Sequence, residues 1–142
     1  MHTVHHRMPR AGIDPIDDPA TAFATLAMAV HRPLRAETIA LVLDDARCGL
    51  AVAVVTGTDH ADDVIEVVER LVEPAAHGGR AAALVVASVR PDELDSDDGA
   101  DVDRWLEMSE IADAAGIELV EWFVVDREVS CPRDRLGEPP RW

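Results

Sequence analysis

Ser88, Arg90, Asp98 and Asp101 are the residues whose types and spacing most suggest a site. Ser88 and Arg90 stand at i and i+2, so an extended segment would point both side chains to one face. Asp98 and Asp101 follow in an acidic stretch where a helix opens, and acids are favoured at a helix N-terminus. Arg90 is expected to pair with Asp98 or Asp101, in a bidentate guanidinium–carboxylate contact. The alternative is that Arg90 reaches into water from a loop while Asp98 caps the helix. A second chemistry would take Cys48 or Cys131 as nucleophile and His60 or His77 as base, which requires thiol and imidazole within hydrogen-bond reach. No motif joins these residues. The two cysteines form neither a CxxC nor a zinc knuckle and read as reduced thiols. His2, His5 and His6 sit on a polar N-terminal stretch, where histidines bind metal only weakly.

The elements that must position these residues are read from periodicity and punctuation. Residues 1–17 are polar, with Pro9, Gly12 and Pro15, and read as a flexible arm. Asp18-Pro19 is a cap followed by a first-turn proline. Phe23, Leu26, Ala27 and Val30 continue at helical spacing until Pro33. Residues 38–43 (TIALVL) and 50–56 (LAVAVVT) are apolar runs of strand length around a polar turn ending in Gly49, hence a hairpin. Neither alternates cleanly, which predicts burial on both faces. Asp59 is expected to cap a helix with Val64, Val68, Leu71, Val72 and Ala75 on its buried stripe, ended by Pro74 and Gly78-Gly79. A strand at 81–87 leads into a loop over 88–100. A helix at 101–115 buries Val102, Trp105, Met108, Ala112 and Ala115, and Gly116 stops it. Strands follow at 117–125 and 129–131. Residues 132–142, with Pro139-Pro140, are a tail or a strap. The order αββαβαββ predicts a three-layer α/β domain over 18–136 with a mixed sheet, and a tail at 137–142.

At this point order and residues meet a known pattern. The segments LVLD (41–44), Gly57-Thr58, ALVVASVRP (83–91), Asp98, Asp101 and GIELVEW (116–122) together resemble the RadC-like branch of the JAB/MPN domains, over roughly residues 33–135. That family comprises zinc hydrolases, of cytidine-deaminase-like architecture, and their inactive relatives. Its signature is an early Glu, then His-x-His-Pro, then Ser-x-x-Asp. The two histidines and the aspartate hold zinc, the Glu is the general base and the Ser helps polarise the substrate. By this resemblance the histidine positions fall on Ser88 and Arg90, the proline on Pro91, the serine on Asp98 and the ligand aspartate on Asp101. The base position, counted back from Gly57, falls on Val52. Glu121-Trp122 stand where the pattern has Asp-His. One ligand type therefore remains. A hydroxyl is a poor zinc ligand, a guanidinium is none, and a valine accepts no proton. The resemblance thus implies a degenerate member, with no catalytic residue, no metal and no cofactor, serving as a protein-interaction or scaffold module. The partner would be an unknown protein or a second copy of the chain. An enzyme of other chemistry, or a small-ligand-binding protein, is the alternative.

Composition narrows the partner. The chain has 142 residues, enough for one domain, and 13 basic residues, all arginine, stand against 28 acidic ones for a net charge of −15. Such a field repels phosphate, so no nucleic acid is expected as partner. The helical segment that precedes the domain in RadC-like proteins is reduced here to barely one helix. No run approaches a membrane span and none of signal-peptide length opens the chain, so a cytoplasmic protein is expected. Trp105 and Trp122 are expected in the core. Trp142, last in the chain, either folds back or offers an aromatic anchor to a partner.

Overall fold

The computed structural model describes residues 8–91 and 98–142, the side chains of residues 98 and 99 excepted. Helix α1 (Pro19–Ala27) begins as its sequence predicts, with the Asp18 carboxylate accepting the Thr21 N–H at 2.8 Å and Pro19 in the first turn. Strands β1 (Glu37–Leu43) and β2 (Gly49–Thr56) form the expected hairpin. Its turn is held by Asp44, whose Oδ1 accepts the N–H groups of Ala46 and Cys48, each at 2.9 Å, while Arg47 takes a φ of 66°. Helix α2 (Asp63–His77) follows, then β3 (Ala83–Val89), α3 (Asp98–Ala114), β4 (Glu118–Val125), β5 (Val129–Ser130) and a short α4 (Pro132–Leu136). Asp59 does not cap α2. The first turn is instead tied by the Asp63 carboxylate, which accepts the His60 N–H at 3.0 Å.

The strands make one mixed sheet of five in the order β2-β1-β3-β4-β5. Only β3 and β4 are parallel, and α3 is the crossover between them. Alternation along β1 divides the core. Ala40 joins Leu84, Val86, Trp122, Trp105, Met108 and the α2 valines on one face. Ile39, Leu41 and Leu43 join Val85, Phe123 and the α1 residues Ala22 and Leu26 on the other. This is an α/β arrangement compatible with three layers. Opposite Val85, β4 carries an extra residue, so Leu84 pairs with Leu119 but Val85 with Glu121. The bulge rephases β4 and turns Trp122 to the face that carries Val86 and Ser88.

Three expectations are corrected. Residues 8–17 are not a free arm: Gly12 N–H donates to the Gly49 carbonyl at 3.2 Å, Ile16 N–H to that of Arg47 at 2.7 Å, and Ile16 is 2% exposed. Residues 1–7, with the three N-terminal histidines, lie outside the described residues. β2 is not buried on both faces, because it pairs only with β1 and is largely exposed. The C-terminal stretch, read as a tail or strap, contains the helix α4, while Trp142 takes one of its two expected positions, packed back against the α1-side cluster. No helix among the described residues is long and apolar enough to cross a membrane.

Candidate functional site

The predicted residues meet where β3 ends and α3 begins. β3 runs to Val89, two residues beyond the predicted end, so Ser88 belongs to the strand and is buried. Arg90 is anchored by its own N–H, which donates to the Val125 carbonyl at 2.7 Å. From there its guanidinium meets Asp101 in the first turns of α3. Nη1 donates to Oδ2 and Nη2 to Oδ1, both at 2.9 Å. The bidentate arrangement is therefore present, with Asp101 as partner. The side chain of Asp98, the other candidate, lies outside the described residues.

Sequence reasoning missed Arg104 and placed Trp122 in the core without its contacts to this cluster. Arg104, one turn further along α3, donates from Nη1 to Asp101 Oδ1 at 2.9 Å and from Nε to Asp62 at 2.8 Å. The i, i+3 spacing from Asp101 was the available signal. Partial burial works to lower the Arg104 pKa, yet hydrogen bonds to Asp62 and Asp101 leave it raised above the ordinary arginine value. The Arg90 guanidinium also lies 5.7 Å from the centroid of the Trp122 ring. Trp122, fully buried, donates its indole N–H to Ser88 Oγ at 2.9 Å. Ser88, Arg90, Asp101, Arg104 and Trp122 thus form one connected polar cluster against the core.

Val52 does not belong to it. Thr38 stands between Ser88 and Val55 in register, whereas Val52 pairs with Leu41, three positions further along β2. That is about 10 Å along the strand, and its side chain is on the α1 face of the sheet. The strand neighbour of Ser88 is Thr38, whose hydroxyl donates to Thr58 Oγ1 at 3.0 Å.

A zinc ion, which the resemblance implies for active members, needs three protein ligands with available lone pairs. Both Asp101 oxygens accept from arginines, the Ser88 hydroxyl accepts from an indole, and the position beside them is a cation. The residues present do not fit the metal.

Other chemistry-bearing groups are also engaged. Cys131 packs at the α1-side cluster, while His60 and His77 flank α2 on the opposite face of the sheet. Burial, with Glu121 nearby, pushes the Cys131 thiol up to about 12, and burial raises that of Cys48 as well. Neither thiol is poised as a thiolate. Glu37 is fully buried at the start of β1, its carboxylate accepting the His31 backbone N–H at 2.8 Å and lying 2.7 Å from its ring Nδ1. A second buried pair joins Arg133 of α4 to Glu121 at 2.9 Å. The strap is fastened by Arg141, which donates to the Leu119 carbonyl at 2.8 Å and lies 4.6 Å from the Trp105 ring centroid. Trp142 is thereby tied to the body.

No family model matches the chain, and no curated protein matches it.

Proposed function

We propose that the chain is a catalytically inactive domain of the RadC-like JAB/MPN type, serving as a protein-interaction or scaffold module. The observation that carries this reading is the Arg90–Asp101–Arg104 cluster. A carboxylate in the position of the family's metal-ligand aspartate has both oxygens satisfied by guanidinium groups. An ion pair there fills the pocket with fixed positive charge, which opposes a divalent cation and leaves no acceptor to activate water. The hairpin and the β3–α3–β4 crossover support this reading only at the level of an α/β fold with a mixed sheet, to which α4 adds a final helix.

Back-substitution tests the reading. Ser88→His with Arg90→His would restore the family's ligand types beside Asp101. The double variant is expected to bind about one zinc per chain with all three side chains required, since three ligands suffice for such a site. A folded double variant that gains no zinc would contradict descent from a metal site. Peptidase or isopeptidase turnover by the unmodified chain would contradict inactivity.

A further inference from the structure

The loop between α1 and β1 is closed at its neck by Glu37. The fully buried carboxylate accepts the His31 backbone N–H through Oε1 at 2.8 Å, and its Oε2 lies 2.7 Å from the His31 ring Nδ1. Burying a carboxylate is costly unless it is hydrogen-bonded, and both of these contacts go to one residue of the loop. The neighbouring Ala36 carbonyl accepts the Gly57 N–H at 3.1 Å, which ties the same end to the chain just beyond β2. Residues 32–35 (RPLR) stand outside this neck and are all exposed, with Pro33 holding its own φ and offering no N–H. The neck thus fixes both ends of a short segment displayed to solvent.

What the loop displays is unlike the rest of the surface. The chain carries 28 acidic residues against 13 arginines, yet no acid occurs from Pro19 to Ala36. Elsewhere Arg10 is taken up by Asp14, Arg47 by Glu118, Arg70 by Glu66 and Arg141 by Glu138. Arg32 and Arg35 meet no carboxylate among the described residues. Arg80 and Arg127 meet none there either, but Arg80 stands alone and Arg127 is flanked in sequence by Asp126 and Glu128. Arg32 and Arg35 are three residues apart, so their Cα atoms are within about 11 Å of each other. Between them is Leu34, 37% exposed, and three residues before His31 is Met28, 72% exposed. Two guanidinium groups around an aliphatic side chain complement a peptide in which carboxylates flank an aliphatic residue. A short segment also suits the field of the whole chain. Charges more than about 8 Å away are largely screened at physiological ionic strength, so a peptide confined to the loop is governed by the two arginines. An anionic bilayer or a nucleic acid would extend over the acidic remainder of a chain of net charge −15. We propose that the α1–β1 loop, residues 28–35, is a docking site for an acidic peptide segment of a partner protein. Its carboxylates would bind Arg32 and Arg35, and its aliphatic side chain would lie on Leu34 and Met28. This names the partner's chemistry for the interaction reading above, and it rests on that reading in taking binding to be the role of the domain.

The full chain is titrated into a fluorescein-labelled peptide of about ten residues, Asp and Glu around two central leucines, at about 0.15 M salt, and followed by anisotropy. A Kd on the order of 100 µM is expected, and no binding of the same peptide with Asn and Gln in place of its acids. Arg32→Ala with Arg35→Ala should weaken binding at least about 10-fold, with the circular dichroism unchanged. Leu34→Ser should weaken it about 3-fold or more. Arg80→Ala with Arg127→Ala removes the same charge elsewhere and should change it less than about 2-fold. No binding up to about 1 mM, equal binding of the amide peptide, or equal losses in the two arginine pairs would overturn the proposal. Retention on phosphatidylserine vesicles that is lost with Arg32→Ala and Arg35→Ala would overturn it in favour of a membrane surface. Peptide binding gained only with Asp92→Asn and Glu93→Gln would overturn it in favour of the chain's own acidic stretch. None of these results bears on zinc gain by the histidine variant, so failure here is separable from failure of the functional reading.

Discussion

Replacing Asp101 by Asn removes one charge and little volume from the centre of the cluster. Its side chain is 5% exposed, and those of Arg90 and Arg104 are 11% and 14%. The substitution strips three charge-assisted contacts of 2.9 Å and turns an amide N–H₂ towards a guanidinium. Removing one partner of a buried pair costs roughly 3–5 kcal/mol, most of it the uncompensated charge left behind. Arg104 keeps Asp62, whose side chain is 77% exposed and offers a weaker contact, so the lower end of that range applies, about 3 kcal/mol. At a urea slope of about 2 kcal/mol per M the midpoint should fall by roughly 1.5 M. Fluorescence of the buried Trp105 and Trp122 follows the transition. A double-mutant cycle with Arg90→Met should return a coupling of about 2 kcal/mol. A loss below about 1 kcal/mol, or no coupling, would mean the pair behaves as a solvated surface contact, and the argument from an occupied pocket would fail.

Ser88→Ala leaves the Trp122 indole N–H buried without its acceptor, and a loss of about 1–3 kcal/mol is expected in the same urea assay. Arg133→Leu strands Glu121, which is 2% exposed, and should cost about 3 kcal/mol, while Arg133→Leu with Glu121→Leu should recover most of it. Cys131 should be alkylated at pH 8 some 10- to 100-fold more slowly than a free thiol. Its scarcer thiolate lowers the rate by about three powers of ten, and higher intrinsic nucleophilicity restores roughly one to one and a half of them. Since the folded state keeps this thiol protonated up to about pH 12 while an unfolded one ionises near 9.0, its contribution to stability is complete below pH 9. That contribution declines as pH rises from 9 towards 12 and should appear in equilibrium unfolding across that window.

Local signals predicted most of the elements. The Asp18-Pro19 start, the Gly116 stop and the buried helical stripe through Trp105, Met108 and Ala112 depend on neighbours within a few turns, which is why they were legible. Arg90–Asp101 was legible because the strand face and the helix start restrict both ends of the contact. The role of β2 was not. Its apolar run is the same for a central strand and for an uncovered edge, and only the sheet order decides between them. Val52 failed for a related reason: counting back from Gly57 fixes a position along one strand but not its register against β1 and β3. Glu121 and Arg133 escaped because the pairing depends on a bulge in β4 and on α4, whose five residues carry no strong periodicity. The docking of residues 12–16 beside the hairpin turn is likewise a long-range event that composition alone reads as a loose end.

Metal content tests the central claim most directly. The untagged full chain, with His2, His5 and His6 replaced by Ala, is incubated with excess zinc, desalted and analysed by elemental mass spectrometry. An arginine-filled pocket predicts well under about 0.1 zinc per chain, unchanged by Asp101→Asn, because too few ligands are free to bind. About one zinc per chain, retained through desalting and lost on Asp101→Asn, would contradict it.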